Sequence, residues 1–152
     1  MGKVELTVVS PENEDLRQLI RHLDMDLLQR YPAEEIFGID FSDAKVNDIL
    51  FIVAYENGTP VGCGAIKPID EAACELKRFF VEEAYRNKGI AKQILSELED
   101  RARRMDFRSI KLEAGEGQPE ALNFYRKHGY GLIDRFGPYV NCESSVCYEK
   151  KL

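Results

Sequence analysis

Hydrophobic residues recur every three or four positions in two long stretches of the chain, which is the spacing of one helix face. In the first stretch they are Leu16, Leu19, Ile20, Leu23 and Leu27. In the second they are Ile90, Ile94, Leu98 and Ala102, with Ala91, Leu95 and Met105 on the same face. The pattern predicts two amphipathic helices. Ser10-Pro11 predicts the start of the first, with Ser as N-cap and Pro at the first helical position, and we expect it to end near Tyr31.

Short runs rich in β-branched and aromatic residues surround these helices and predict strands. They cover residues 4–9, 49–56, 60–69, 73–81 and 109–114, with a closing antiparallel pair at 130–135 and 144–150. Asn57-Gly58 is a type I′ turn signal and predicts a hairpin. Pro119 begins a further helix that ends at Gly129. Residues 32–48 are irregular, and a segment of this length usually either caps a site or is mobile.

The composition indicates one folded domain over residues 1–152. A chain of 152 residues is long enough to bury a core, and hydrophobic and charged fractions of 44% and 32% argue against disorder. No apolar run approaches the ~20 residues that a membrane span needs, and the N-terminus does not resemble a signal peptide. We therefore expect a cytoplasmic protein with no membrane partner.

The net charge of −6 is unevenly distributed. Residues 1–60 hold 12 acids and 5 bases, and residues 61–152 hold 15 acids and 16 bases. A nucleic-acid binder normally has a dense basic face, so we expect no nucleic-acid partner. The basic residues near the end of the second long helix fit a solvated helix end.

The cysteines and histidines lack the spacing of a metal site. Cys63, Cys74, Cys142 and Cys147 are scattered, and the two histidines, His22 and His128, stand far apart. We expect no metal and read the cysteines as reduced thiols.

The stretch Arg86-Asn87-Lys88-Gly89-Ile90-Ala91 lies between a predicted strand and the second long helix. The first N–H groups of a helix have no partner within it, and the helix dipole favours negative charge there. Gly89 removes a side chain where a ligand must come close, while Arg86, Lys88 and Lys92 add cationic donors. These residues fit a phosphate-binding turn, although an ordinary strand-to-helix connection with solvated charges has the same spacing.

The pattern Arg86-x-x-Gly89-x-Ala91 resembles the acyl-CoA-binding signature of the GNAT superfamily of N-acetyltransferases. Two neighbouring features agree with this resemblance: Glu75 lies in the preceding strand, and residues 122–130, LNFYRKHGY, resemble the C-terminal motif of the family. The resemblance runs from about Asp48 to the C-terminus. It implies an α/β fold of GNAT type, with a mixed, mostly antiparallel sheet that is flanked by helices and splayed at the acyl-CoA site.

The resemblance implies acetyl transfer from acetyl-CoA to a primary amine by direct attack in a ternary complex, and we expect that amine to belong to a small molecule. No cysteine matches a site of covalent acyl transfer. Two alternatives remain open: a protein lysine or N-terminal acetyltransferase, and a non-catalytic module that senses acyl-CoA. The sequence also leaves open whether the chain works as a homodimer.

By the same resemblance, the strands at 73–81 and 109–114 are the two that splay around acetyl-CoA. The implied acetyl-CoA contacts are Phe79, Phe80, Val81, Arg86, Asn87, Lys88, Gly89, Ile90, Ala91, Lys92, Gln118 and Tyr125. A bulge in the first strand would free the N–H of Phe79 for the thioester carbonyl oxygen. Many family members have Asn where Gln118 stands, and Gln makes the same amide hydrogen bonds from a longer stem.

Glu75 and Tyr125 occupy the positions of a general base and a general acid in the family. Strand alternation predicts that Glu75, Lys77 and Phe79 share one face. Glu75 otherwise pairs with Lys77, Arg78 or a substrate ammonium. Tyr125 matches the tyrosine that points its hydroxyl at the CoA sulfur, and its alternative role is core packing with Phe124.

The acceptor itself does not follow from the resemblance. Residues 32–48 and 136–142 are where we expect the acceptor pocket, closed for a small molecule or open as an acidic groove for a peptide. Because the acceptor-side half of the chain has a net charge of −7, we predict a cationic amine.

Overall fold

Residues 3–152, which the computed structural model describes, form seven strands and three α-helices. The strands are β1 (Val4–Val9), β2 (Leu50–Glu56), β3 (Thr59–Pro68), β4 (Ala73–Val81), β5 (Ser109–Gly115), β6 (Gly131–Ile133) and β7 (Ser145–Lys151). The helices are α1 (Glu14–Leu28), α2 (Ile90–Arg104) and α3 (Pro119–Lys127). Short 3₁₀ turns lie at Ala33–Glu35, Ala44–Asp48, Glu83–Tyr85 and Gly137–Tyr139. Every helix in this part of the chain is too short or too polar to span a membrane.

The strands form one mixed sheet in the order β1-β2-β3-β4-β5-β7-β6. Neighbouring strands are antiparallel except β4 and β5, which are parallel. Asn57 and Gly58 join β2 to β3 with φ angles of 51° and 83°, both positive as a type I′ turn requires. The predicted α/β fold is confirmed.

Helices cover both faces of the sheet, and each buries the apolar stripe that its sequence predicts. On one face α2 and α3 pack over the sheet, and Ile94, Leu98 and Ala102 are fully buried there. A Cβ on Gly64 of β3 would lie 2.8 Å from Leu98 Cδ1, so this glycine lets α2 approach the sheet closely. On the other face α1 buries Leu16, Leu19, Ile20 and Leu23.

The two parallel strands are paired over a short length only. Ala73–Leu76 of β4 lies beside Ser109–Leu112 of β5, and beyond these residues the two strands are no longer paired. At this point β4 carries a bulge. Its register against β3 shifts between Cys63 and Ala65, and Arg78 takes a left-handed φ of 52°. A bulge bends the strand that carries it, so β4 turns away from β5.

The bulge also changes which side chains share a face, and one prediction is wrong for this reason. Glu75 and Lys77 point toward the α1 side of the sheet, where both contact Tyr139. Phe79 points to the opposite side and packs against Phe124 and Tyr125, with ring centroids 5.8 Å and 6.1 Å away. Strand alternation failed because the bulge adds a residue between Lys77 and Phe79.

The first helix begins later than predicted. Pro11 and Glu12 form a turn that is closed by a hydrogen bond from the Asn13 N–H to the Ser10 carbonyl, and α1 starts at Glu14 with Asn13 as its N-cap. The Asn13 side chain accepts a hydrogen bond from the Leu16 N–H at 2.9 Å, and Glu14 and Asp15 place negative charge in the first turn. The helix ends at Leu28 rather than near Tyr31.

Candidate active site

A cleft of about 560 Å³ opens where β4 and β5 part. The residues that the sequence assigns to a site line it with one exception; they are Glu75, Phe79, Phe80, Val81, Arg86, Asn87, Gly89, Ile90, Ala91, Lys92, Gln118 and Tyr125. Lys88 is the exception, and its Nζ lies 5.2 Å from the centroid of the Tyr85 ring. The predicted site residues, which are spread from position 75 to position 125, therefore line one cleft.

The N-terminus of α2 opens directly into this cleft. Gly89 is its N-cap, with a φ of 83° and no side-chain hydrogen bond to the first turn. A Cβ at Gly89 would have no neighbour within 4 Å, so the left-handed backbone, rather than crowding within the protein, explains the glycine. The first N–H groups of the helix thus face a space that accepts an anion.

Basic side chains collect at this end of the cleft. Arg86, Lys92, Lys127 and His128 line it. Burial lowers the pKa of His128, and the charges of Lys127 and Lys92 lower it further. The Arg86 side chain is also part of the turn itself, because its Nε donates to the Val81 carbonyl at 2.8 Å. The remaining N–H donors of its guanidinium are not used in this contact.

Tyr125 lies in the middle of the cleft wall. Its ring is 7% exposed and packs against Phe79, Phe124 and Tyr130. Burial raises the pKa of the Tyr125 hydroxyl, with the Glu113 carboxylate as a smaller cause. The hydroxyl therefore keeps its proton at neutral pH.

Glu75 lies at the opposite end, in a buried polar cluster that the sequence predicted only in part. Its Oε2 accepts a hydrogen bond from the Tyr139 hydroxyl and lies 3.8 Å from Lys77 Nζ. Lys77 Nζ also lies 3.1 Å from the Tyr139 hydroxyl. The suggested pairing of Glu75 with Lys77 is therefore present. Arg78 instead pairs with Asp24 of α1 at 2.8 Å.

Tyr139 and Glu113 are two members of this cluster that the sequence analysis missed. Tyr139 ends the short 3₁₀ turn Gly137–Tyr139, within the segment predicted to contribute to the acceptor pocket, but no periodicity singles out its side chain. Glu113 lies on β5, and its Oε2 accepts a hydrogen bond from Ser145 Oγ at 2.6 Å. Burial raises the pKa of Glu113. Alternation with the apolar residues Leu112 and Ala114 was the signal that could have placed Glu113 on the face of Glu75.

The segment that follows α1 closes the side of the cleft next to β5. A Cβ on Gly115 would lie 2.0 Å from the Tyr31 hydroxyl oxygen, so only glycine leaves room for this tyrosine. The Tyr31 hydroxyl lies 3.5 Å from Gln118 Oε1. Arg30 pairs with Glu120 at 2.5 Å. These contacts join the segment after α1 to the start of α3 across the cleft.

Two loops roof the end of the cleft that holds Glu75. The Phe37 ring meets the Tyr139 ring edge-on at 4.9 Å, and Ser144 Oγ donates to Glu35 Oε1 at 2.5 Å. These contacts join the segment at 32–48 to the segment at 136–144. Carboxylates line a shallower recess beside this roof; they are Glu34, Glu35, Glu116 and Glu143.

Known proteins share both the sequence pattern and this architecture. The model of the acetyltransferase (GNAT) family matches residues 13–130. The IAA acetyltransferase of Azospirillum brasilense is 37% identical over 153 residues, which cover 100% of both chains. A crystal structure from Klebsiella pneumoniae, of a protein classed with the acyl-CoA N-acyltransferases, is 28% identical with a TM-score of 0.87, over 98% of this chain and 97% of that one. A GNAT family acetyltransferase from Elizabethkingia anophelis with acetyl-CoA bound has the same fold, with a TM-score of 0.74 at 18% identity over 98% of both chains.

Proposed function

This chain belongs to the GNAT acetyltransferase family and is an N-acetyltransferase, and on that premise we propose that it transfers the acetyl group of acetyl-CoA to the primary amine of a small molecule. One observation carries the proposal. The open N-terminus of α2, Tyr125 and the buried Glu75 line one and the same cleft. It thus joins an anion-binding end to a buried acid–base cluster.

The residues at the α2 end fit coenzyme A. The helix N-terminus and the basic side chains Arg86 and Lys92 suit a pyrophosphate, with Asn87, Lys88, Gly89, Ile90 and Ala91 completing the turn. The backbone of Phe79, Phe80 and Val81 offers an unpaired strand edge to the pantetheine arm. Gln118 offers an amide from the facing side of the cleft.

Three groups of the chain perform the transfer in this proposal. Glu75 takes a proton from the acceptor ammonium, and the freed nitrogen lone pair forms a bond to the thioester carbonyl carbon. The Phe79 N–H stabilises the negative charge that develops on the carbonyl oxygen. As the C–S bond breaks with its electron pair on sulfur, Tyr125 gives its proton to the thiolate, and the acceptor nitrogen loses its second proton to solvent to give the neutral amide. Solvent then restores the two protonation states.

Direct attack is favoured over a covalent acyl-enzyme. Among the described residues that line the cleft there is no cysteine. Burial raises the pKa of Cys63 and that of Cys74 to about 12, so neither thiol is a nucleophile at neutral pH.

The enclosed acceptor end supports a small molecule rather than a protein side chain. Its two roofing segments are joined by the Phe37–Tyr139 and Glu35–Ser144 contacts, which cover the cleft at this end. The presence of Glu75 and Tyr125 also argues against a non-catalytic module that senses acyl-CoA, since binding alone requires neither an acid nor a base.

The charges at this end support a cationic acceptor. Asp26, Glu35, Glu75 and Glu113 line the cleft there. Of the cations nearby, Arg78 is already paired with Asp24, and Lys77 already contacts Glu75 and the Tyr139 hydroxyl. An acceptor with a second positive group therefore gains from the field of these carboxylates, and this gain weakens as salt is added.

The acceptor prediction is tested with a panel of amines in an assay that measures release of free CoA thiol. We expect cationic amines to give the highest kcat/KM, with a preference that decreases at high salt. IAA is assayed separately beside the amine panel, because the name of the Azospirillum relative includes it. Phosphorylated or dicarboxylic amines as the best substrates would contradict the charge argument. Acetyl-CoA binding without thiol release from any amine would favour the sensor alternative.

Tyr125→Phe tests the acid. The variant keeps the ring that packs against Phe79 and Phe124 and removes only the hydroxyl. We expect kcat to fall by about 100-fold, the usual effect of a lost general acid, with acetyl-CoA affinity unchanged. Steady-state kinetics and calorimetric titration measure the two quantities. Parental rates at every pH would remove Tyr125 from the mechanism.

Glu75→Gln tests the base. An alkyl amine with a pKa of about 10.4 is less than ~0.1% neutral at pH 7, so transfer requires that its proton be removed. We expect kcat to fall by about 100-fold or more, with acetyl-CoA affinity unchanged and part of the loss recovered at high pH. A higher acceptor KM, with unaltered kcat and pH profile, would show that Glu75 anchors the ammonium instead.

A further inference from the structure

We propose that Tyr139 is the residue that positions Glu75 for proton transfer, with Lys77 setting the direction of the hydrogen bond between them. The inference rests on the proposed function of Glu75 as base. It concerns a residue in a loop far along the chain, 64 positions after Glu75.

The contacts form a short hydrogen-bonded chain. Lys77 Nζ lies 3.1 Å from the Tyr139 hydroxyl oxygen, and that hydroxyl donates to Glu75 Oε2. An ammonium group has donors but no acceptor, so Tyr139 accepts from Lys77 and must turn its own proton toward Glu75. Lys77 therefore sets the donor-to-acceptor direction of both hydrogen bonds.

The same contacts decide which carboxylate oxygen is available to a substrate. Both the Tyr139 hydroxyl and the Lys77 ammonium approach Oε2 of Glu75. With Oε2 engaged, the other oxygen, Oε1, is the one left to take a proton from the acceptor. Fixing this choice matters because a displacement of about 1 Å in a reacting group costs up to ~100-fold in rate.

Tyr139 is itself held firmly, as a positioning residue must be. Its side chain is 1% exposed. Phe37 and Phe136 meet its ring edge-on, with centroids 4.9 Å and 5.2 Å away. Lys77 Nζ lies 5.7 Å from the same ring centroid. The ring therefore has little freedom to rotate, and its hydroxyl stays over Glu75. Burial raises the pKa of this hydroxyl, so it remains protonated.

The fold contains a second cluster of the same three residue types, outside the cleft. The Tyr130 hydroxyl donates to Glu99 Oε2 at 2.8 Å, and Lys150 Nζ lies 3.0 Å from Glu99 Oε1. All three side chains are largely buried, and none of them lines the cleft. This cluster joins α2 to β7 and gives a matched control, since Tyr130→Phe removes the same chemical group from a similar setting.

A double-mutant cycle separates positioning from packing. Tyr139→Phe, Glu75→Gln, the double variant and Tyr130→Phe are compared by kcat, by the two KM values and by thermal unfolding. If Tyr139 acts through Glu75, we expect Tyr139→Phe to lower kcat by about 10- to 100-fold with little change in either KM. The double variant should then be no slower than Glu75→Gln alone. Tyr130→Phe should lower the Tm and leave kcat unchanged.

Provided that Glu75→Gln lowers kcat, two results would overturn the inference. One is a parental kcat for Tyr139→Phe; the other is a double variant whose loss equals the product of the two single losses. If Tyr139→Phe folds poorly, Lys77→Met is tested instead, because it removes the ammonium at the other end of the hydrogen-bonded chain. Lys77→Met should lower kcat in the parent and should cause no further loss of kcat in the Glu75→Gln background. A Glu75→Gln variant with parental kcat and pH profile would instead contradict the proposed role of Glu75 as base. It would then also contradict the inference about Tyr139.

Discussion

The short parallel pairing of β4 with β5 is the constraint on which the rest of this structure depends. The two strands pair from Ala73 to Leu76 and from Ser109 to Leu112, and then part. Beyond this point each strand presents backbone N–H and C=O groups to a shared gap. Buried backbone groups need a partner, so such a gap is stable when water or a ligand with amides of its own fills it. The pantetheine arm of coenzyme A carries amides of this kind, which is why the splay and the proposed cofactor belong together.

The bulge at Arg78 both opens the gap and arranges the chemistry around it. A left-handed φ at a non-glycine residue is strained by about 1–2 kcal/mol. The ion pair between Arg78 and Asp24 of α1 holds the residue whose backbone carries this strain. Because the bulge reverses the alternation, Phe79 points toward Tyr125 while Glu75 and Lys77 point toward Tyr139. The proposed acid and the proposed base thus lie on opposite faces of one sheet, with the thioester expected between them.

Most of the architecture could be predicted from the sequence because it depends on local patterns. The apolar stripe of α2, the Asn57-Gly58 turn and the glycine at residue 89 each specify their structure within a few residues. The start of α1 was missed because Ser10-Pro11 and Asn13 both offer a helix start, and the N-cap bond of Asn13 is the one that forms.

The site was predictable where the sequence is contiguous and unpredictable where it depends on tertiary contacts. Residues 86–91 form the turn that leads into α2, and residues 118–125 form the N-cap and first turns of α3, so the placement of each group follows from a short stretch of sequence. Tyr139 reaches Glu75 only through a loop, and Phe79 changes face because of a bulge that a single sequence does not mark. The roles of Glu75, Phe79 and Tyr125 remain predictions.

The central claim, that acetyl-CoA lies in the gap and begins at the N-terminus of α2, is tested most directly at two matched glycines. Gly89 and Gly58 both have a φ of 83°, and a Cβ on either would have no neighbour within 4 Å. Glu at each position therefore carries the same backbone strain and the same charge, but only Gly89 lines the cleft.

The measurement is a calorimetric titration of acetyl-CoA into Gly89→Glu and Gly58→Glu, each checked for folding by circular dichroism. The account predicts that Gly89→Glu abolishes binding, since its carboxylate meets the pyrophosphate, and that Gly58→Glu binds like the parent. Equal affinity in the two variants would contradict it.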